Sequence, residues 1–445
     1  MKIKLPDKVI YIIRTLESCG FDTYTVGGCV RDCIMGKSPT DWDICTEATP
    51  EQIMRSFKGQ RIIETGLKHG TITLLLGKNS YEITTFRKDG DYKDNRHPEK
   101  VAFISDIKED LARRDFTINA MAYHPEKGMI DFFGAMADIE NKTIRCVGDA
   151  EKRFDEDALR IMRALRFSST LDFGISQETS AAIINRHNLL ENIAVERITA
   201  ELNMMLIGIN AEKVLLEYSE VLAVIIPEIN DMIGFEQHRP NHYLDVWGHT
   251  VKSISYAPKD IILRLTMLFH DMAKPECFTL VDGKGHFYGH PKESARMAEM
   301  ILRRLKYDNN TVQTIVKLVT YHDTDIICEE KYVKRWLNRI GEENLRRLIE
   351  VKKADACAHE EQLRSPTLEQ LENVSRLIDK VIEFRQCFSL MDLAINGRDL
   401  IALGIPEGAE IGEILTSVLG MVIDGETENT RIALMKKAQE LLWGK

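Results

Sequence analysis

The sequence predicts an α+β protein: a mixed head of strands and helices over roughly the first 145 residues, then a long α-helical body. Two observations carry this. From Tyr24 to about Arg145, short β-rich runs alternate with polar turns, as at Thr71–Leu76, Tyr81–Phe86 and Val101–Ile104. From about Asp155 the spacing turns helical: Leu159, Ile161, Met162, Leu165 and Phe167 recur with arginines between them.

The elements follow in order. Met1 to Leu16 mixes charged and apolar residues without a small-residue cleavage site, so it reads as a first helix and not a signal peptide. The β-rich runs come next. Beyond Phe167 the chain is almost all helical, with stops near Gly208, Pro227, Pro240, Pro258, Gly341 and Pro366. It has no internal repeat and no low-complexity segment.

At 445 residues the chain is too long for one core, and several domains follow. Hydrophobic residues at 44% and charged residues at 29% fit a soluble globular protein. No apolar run approaches the ~20 residues that span a bilayer. The formal charge of -10 counts against a surface coated with basic residues, so an RNA partner has to be argued from a site. Nine scattered cysteines, with only Cys29 and Cys33 close together, make no zinc pattern. Free thiols in a reducing cytoplasm are the better reading.

The chemistry begins between Val26 and Asp43. Gly27-Gly28 lets the backbone approach a bound group, and exposed amides there suit phosphate. Arg31 follows within reach of triphosphate charge. Asp41 and Asp43 alternate across Trp42, so on a strand both carboxylates share a face, as a Mg²⁺ pair requires for displacement at phosphorus. Glu82, on a strand-like run, is the candidate third carboxylate. Between Glu109 and Asn119, Arg114 is placed to reach triphosphate oxygens, and Asp115 or Asn119 a ribose hydroxyl.

These residues carry a resemblance. Gly27-Gly28-x-Val-Arg31-Asp32, Asp41-x-Asp43, Arg113-Arg114-Asp115, Glu156-Asp157-Ala-Leu-Arg160 and Glu196-Arg197 stand in the order of the bacterial class II CCA-adding tRNA nucleotidyltransferases. The match covers roughly the first 210 residues. The resemblance implies a polymerase-β-type head at 1–145 and a helical neck at 146–212 that selects the nucleotide. It further implies a helical body at 213–365 and a C-terminal RNA-binding region at 366–445. It places Gly28, Arg31 and Arg114 on the triphosphate and Asp41 and Asp43 on Mg²⁺. The partners it implies are tRNA, CTP and ATP, with no membrane, and the location is the cytoplasm.

Asp157 and Arg160 are three apart and share a helix face. An Asp accepts from an exocyclic amine, and an Arg donates to a ring nitrogen. Cytosine and adenine both offer an amine beside an acceptor; uracil and guanine reverse that pattern. One residue pair therefore accepts CTP and ATP and rejects UTP and GTP without a template. The resemblance places Arg163 and Arg166 at the nucleotide as well.

Poly(A) polymerases share most of these motifs. The stretch Glu64-Thr-Gly-Leu-Lys-His-Gly-Thr71 resembles the CCA-adding form, and the full-length loop from Arg87 to Arg96 favours complete CCA addition. An A-adding specialist would keep that loop too.

A second constellation comprises His249, His270-Asp271, His290 and His322-Asp323. Its order resembles an HD-domain phosphohydrolase, which implies a second divalent metal held by His249, His270, Asp271 and Asp323. Leu393–Leu400 resembles the family's C-terminal RNA-binding segment, with Asn396, Arg398 and Lys436 available to phosphate. Two rivals remain: an HD phosphohydrolase with an RNA-binding head, and a signalling nucleotidyltransferase such as a protein uridylyltransferase. The intact acidic pair opposes the first, and the Asp157/Arg160 pair opposes the second.

Overall fold

The computed structural model describes residues 2–64, 66–67, 70–90, 101–238, 244–359 and 361–443. Residues 91–96 of the loop used to argue for full CCA addition lie outside these, as do Thr65, Lys68 and His69 of the discriminating stretch. The chain divides into two compact units, Met1–Pro227 and Glu228–Lys445.

The first unit opens with the helix Asp7–Ser18, whose Val9, Ile12, Ile13 and Leu16 form one buried stripe at helical spacing. The strands are β1 (Thr23–Val26), β2 (Asp43–Thr46), β3 (Arg61–Ile63), β4 (Thr71–Leu76), β5 (Asn79–Thr85), β6 (Arg87–Asp89), β7 (Val101–Phe103), β8 (Met121–His124) and β9 (Gly128–Asp131). Seven of them form one sheet in the order β3-β4-β5-β2-β1-β8-β9. β6 and β7 pair separately as an antiparallel ribbon. Only β2 and β5 run parallel in the large sheet; β1, every residue of it buried, lies between β2 and β8. A Thr49–Gln52 capping box starts the helix Pro50–Ser56 between β2 and β3.

Helices Ala150–Glu156, Leu159–Leu171, Gln177–Arg186 and Val195–Leu206 follow. Ser169 Oγ donates to Met205 O at 2.6 Å, locking the second of these to the last. The helix Ala211–Glu217 packs on Leu159–Leu171. Residues 213–227 therefore stay with the first unit, and the division falls later than the residue 212 read from the sequence.

The second unit is mostly helical, but it contains a hairpin, Phe278–Val281 with Lys284–Phe287. Its turn, Asp282-Gly283, has positive φ at both positions (50° and 73°), the backbone that a two-residue hairpin favours. Pro366 does not end an element; the helix Glu361–Glu383 runs through it. That helix is held because Leu371, Val374, Ile378 and Val381 pack with Leu318, Trp336 and Leu345. The C-terminal segment has its own core, including Ile395, Leu400, Val418 and Leu434, and it begins after this helix and not at residue 366. Among the described residues no helix is long and apolar enough to cross a membrane.

Candidate functional site

Gly27 joins β1 to the helix Gly28–Ile34 with φ +77°, a conformation that glycine adopts freely. A Cβ there would stand 3.0 Å from Arg114 Nη1 and 3.9 Å from Asp43 Oδ2. The backbone thus passes directly beside a guanidinium and a carboxylate. Gly28 is less constrained: a Cβ on it would meet Arg31 Nη2 at an ordinary 3.6 Å.

Asp43 is the first residue of β2, whereas Asp41 lies in the bend before it. The strand alternation expected across Asp41-Trp42-Asp43 is therefore only half present. Trp42 packs against the head core, and the two carboxylates on either side of it stay exposed. Surrounding protein pushes the Asp43 carboxyl above its usual range; Arg114 pulls it back, and Asp41 raises it again. In the parallel pairing Asp43 stands opposite Glu82, which places both side chains on one face of the sheet. Asp43 and Glu82 thus share a face, and Asp41 lies near enough to act on the Asp43 carboxyl; all three offer oxygen, the donor type a hard divalent cation takes.

The neighbouring arginines differ in what holds them. Arg113 donates Nε and Nη2 to Asp110 Oδ1 at 3.0 and 2.8 Å. Arg114 Nη2 lies 3.6 Å from Asp110 Oδ2, and its Nη1 sits over Gly27. Arg31 is buried: it donates Nη1 to Asn119 Oδ1 at 2.7 Å and Nε and Nη2 to Asp32 Oδ1 at 2.9 and 2.7 Å. The triphosphate reach read for Arg31 is thus already taken up by Asn119 and Asp32.

The second helical stretch meets the head at Asp115. Arg163 donates Nε and Nη2 to Asp115 Oδ2 at 2.8 and 2.6 Å, while Phe116 N and Asn119 Nδ2 donate to Oδ1 at 2.8 and 3.3 Å. Burial raises the Asp115 carboxyl, but Arg163 outweighs it and holds the group down at about 2. Arg166 Nε pairs with Glu201 Oε2 at 2.5 Å and lies over the Phe167 ring.

Asp157 and Arg160 are not on one helix. The helix Ala150–Glu156 stops, and Asp157 takes an extended backbone (φ -140°, ψ 100°) before the next helix begins at Leu159. Asp157 accepts from Leu159 N at 3.1 Å and from Arg197 Nη2 at 3.3 Å. Arg160 Nη1 donates to Arg153 O and Glu156 Oε2 at 3.0 and 2.7 Å, and Nη2 to Arg113 O at 3.0 Å. The shared-face argument fails because the chain breaks between the two residues. Arg197, Glu201 and Asp110 were not assigned from sequence; Arg197 and Glu201 are four apart on one helix, a spacing that offered a signal.

In the second unit His249, His270, Asp271, His290 and His322 converge, all buried. Asp323 does not join them as a ligand. It follows His322 in an exposed turn and only lines the same cavity of about 350 Å³. Its expected place is taken by Asp355, whose Oδ1 lies 2.9 Å from His249 Nε2. Asp355 lies in the helix Glu342–Ala358, and His359, just past its C-terminal end, forms a ligand-distance group with Asp355 and His249. The Asp355/His359 spacing of four was the missed signal.

Three family models match the chain. Residues 23–145 match the poly A polymerase head domain, residues 172–233 a probable RNA and SrmB-binding site of polymerase A, and residues 290–438 a putative tRNA nucleotidyltransferase domain 2. A CCA-adding enzyme of Lactobacillus helveticus is 34% identical over 98% of this chain and 98% of its own length. One from Enterococcus faecalis is 33% identical over 96% and 94%. The crystal structure of the Bacillus stearothermophilus CCA-adding enzyme in complex with CTP matches with a TM-score of 0.73 and 29% identity, covering 99% of each chain.

The Asp115–Arg163 pair carries a pH signature. The folded carboxyl, at about 2, lies below the ordinary Asp value of about 3.9. Its stabilisation is therefore complete above pH ~5 and is lost as the pH falls through 2, about 2–3 kcal/mol in all. Asp115→Asn is expected to lower stability at pH 7 and to flatten the fall between pH ~5 and ~2. Urea unfolding at several pH values checks this; equal pH slopes in the two proteins would contradict it.

Proposed function

The chain belongs to the family of CCA-adding enzymes, and from that membership we propose how its head and neck extend the 3′ end of a tRNA. It is a tRNA nucleotidyltransferase. CMP, CMP and AMP pass in turn from CTP and ATP to the 3′ hydroxyl, and each transfer releases pyrophosphate.

The observation that supports the site assignment is Asp43, held beside Gly27 and Arg114, paired in register with Glu82 and within the electrostatic reach of Asp41. Asp41 and Asp43 would hold Mg²⁺, with Glu82 as the third carboxylate; an ion bound there would supply charge stabilisation for the attacking 3′ oxygen and the departing phosphate oxygens. Gly27 and Gly28 admit the triphosphate to the backbone, and Arg114 pairs with its oxygens. Arg31 acts from behind, fixing Asn119. The 3′ oxygen bonds to the α-phosphorus as its bond to the bridging oxygen breaks.

Base choice falls to Asp157 and Arg160. Asp157 accepts the amine of cytosine or adenine, and Arg160 donates to the adjacent ring nitrogen. To do so Arg160 exchanges Glu156 for the base edge, and Arg197 yields its bond to Asp157. Arg163 and Arg166 stay fixed by Asp115 and Glu201 and hold the rim of the nucleotide site.

Two sets of variants test this. Asp41→Ala or Asp43→Ala is expected to abolish CMP and AMP incorporation while the circular dichroism spectrum stays unchanged; near-normal incorporation with Mg²⁺ present would overturn the metal assignment. Asp157→Ala or Arg160→Ala is expected to weaken CTP and ATP use together, by about 1–3 kcal/mol per lost contact. Incorporation of all four triphosphates measures it, and an unchanged selectivity profile in both variants would move base reading elsewhere.

A further inference from the structure

Phe167, on the helix Leu159–Leu171, is only 6% exposed, yet its ring is surrounded by charge. The guanidinium carbon of Arg166 stands 4.0 Å from the ring centre, that of Arg31 5.3 Å and that of Arg163 5.4 Å. All three lie within the ~6 Å over which an aromatic ring attracts a cation. Arg163 and Arg166 belong to the same helix as the ring, whereas Arg31 belongs to Gly28–Ile34 of the head. Phe116 of the head meets the ring at right angles, with centroids 5.8 Å apart and 82° between the planes. One neck side chain is thereby set among charged and aromatic groups of the head.

The place of the ring among the hydrogen bonds sharpens this. Arg31 Nη1 donates to Asn119 Oδ1 at 2.7 Å, Asn119 Nδ2 to Asp115 Oδ1 at 3.3 Å, and Arg163 Nη2 to Asp115 Oδ2 at 2.6 Å. That chain starts at one guanidinium beside Phe167 and ends at another, so the ring closes it into a circuit. Each arginine also has its own carboxylate: Asp32 for Arg31, Asp115 for Arg163 and Glu201 for Arg166. A further carboxylate in place of the ring would hold the guanidiniums but repel an incoming triphosphate. An aromatic face attracts them and adds no net negative charge. The circuit reaches the glycine turn as well: a Cβ on Gly28 would lie 3.6 Å from Arg31 Nη2. The Arg31 guanidinium therefore lies along the backbone that precedes it.

We propose that Phe167 is a positioning residue for nucleotide binding: its ring holds Arg31 against Gly28 and so sets the backbone that receives the triphosphate. The inference rests on the reading that Gly27 and Gly28 admit the triphosphate. Phe167 acts through Arg31 and not on the substrate itself. The triphosphate is common to CTP and ATP, so the ring affects both alike and leaves base choice to Asp157 and Arg160. An interaction made equally with the bound substrate and the transition state changes KM and not kcat. Weakening the ring's attraction therefore weakens the binding of both nucleotides while the rate of transfer at saturation is kept.

The test replaces Phe167 in the full chain with mono-, di- and trifluorophenylalanine by nonsense suppression. Each fluorine draws electron density from the ring face and weakens its hold on a cation, while the ring keeps nearly its shape. CMP incorporation is followed on tRNA lacking CCA, and AMP incorporation on tRNA lacking only the terminal A. The KM for CTP and the KM for ATP should rise together at each step, by about threefold with three fluorines, while kcat stays within about twofold of wild type. Phe167→Leu keeps apolar bulk and loses the ring, and it should raise both KM values at least as far. A flat KM across the series, or a rise confined to one nucleotide, would overturn the proposal. So would a fall in kcat at unchanged KM, the mark of a ring that only keeps the enzyme folded. Arg114→Ala separates the proposal from the reading beneath it. If that variant raises the CTP KM while the fluorinated series stays flat, the triphosphate site stands and the role of Phe167 fails. If it leaves the CTP KM unchanged, the site reading fails and the proposal falls with it.

Discussion

The joint between the proposed nucleotide-reading helix and the head depends on one buried carboxylate, Asp115. Asp115 accepts two bonds from Arg163 on the neck, one from its neighbour's backbone and one from Asn119, which in turn takes the guanidinium of Arg31. Such a chain of charge-assisted bonds in a low dielectric fixes geometry more firmly than isolated pairs do. It joins the residues that would read the base to the sheet that carries the acidic triad. A site that selects a nucleotide without a template needs that rigidity, because the protein itself must supply the pattern that a complementary strand would otherwise present. Arg160 reinforces the junction by donating to Arg113 O, one residue from Arg114.

The chain holds two donor sets of opposite character. In the head, Asp41, Asp43 and Glu82 offer only oxygen, at exposed positions that would suit a weakly held Mg²⁺ arriving with a triphosphate. In the second unit, imidazoles dominate and the side chains are buried, a donor set of softer character than the carboxylates of the head.

How far the sequence revealed this varied with the physics. The head's β character was plain in Thr71–Leu76, because a strand with one buried face alternates visibly. Asp41 and Asp43 stood out as candidates because they are close in sequence; the Glu82 register against Asp43 was not legible, since it depends on a parallel pairing between distant strands. The break at Asp157 was missed because the flanking helices share one apolar pattern, and only the backbone turn separates them. Pro366 misled in the opposite direction: packing of Leu371, Val374 and Ile378 holds a helix that proline alone would end. Asp355 escaped notice because its link to His249 spans 106 residues, whereas Asp323 sat beside a histidine already in view.

The central claim is that one nucleotide site, with no template, adds a defined sequence to tRNA. The most direct measurement supplies wild-type protein with a tRNA that ends at its discriminator base, CTP, ATP and Mg²⁺, and sequences the 3′ ends. Addition of C, C and A followed by a stop is the expected result. Products that end after CC, extension only of tRNA already carrying CC, or tails of repeated A would contradict it.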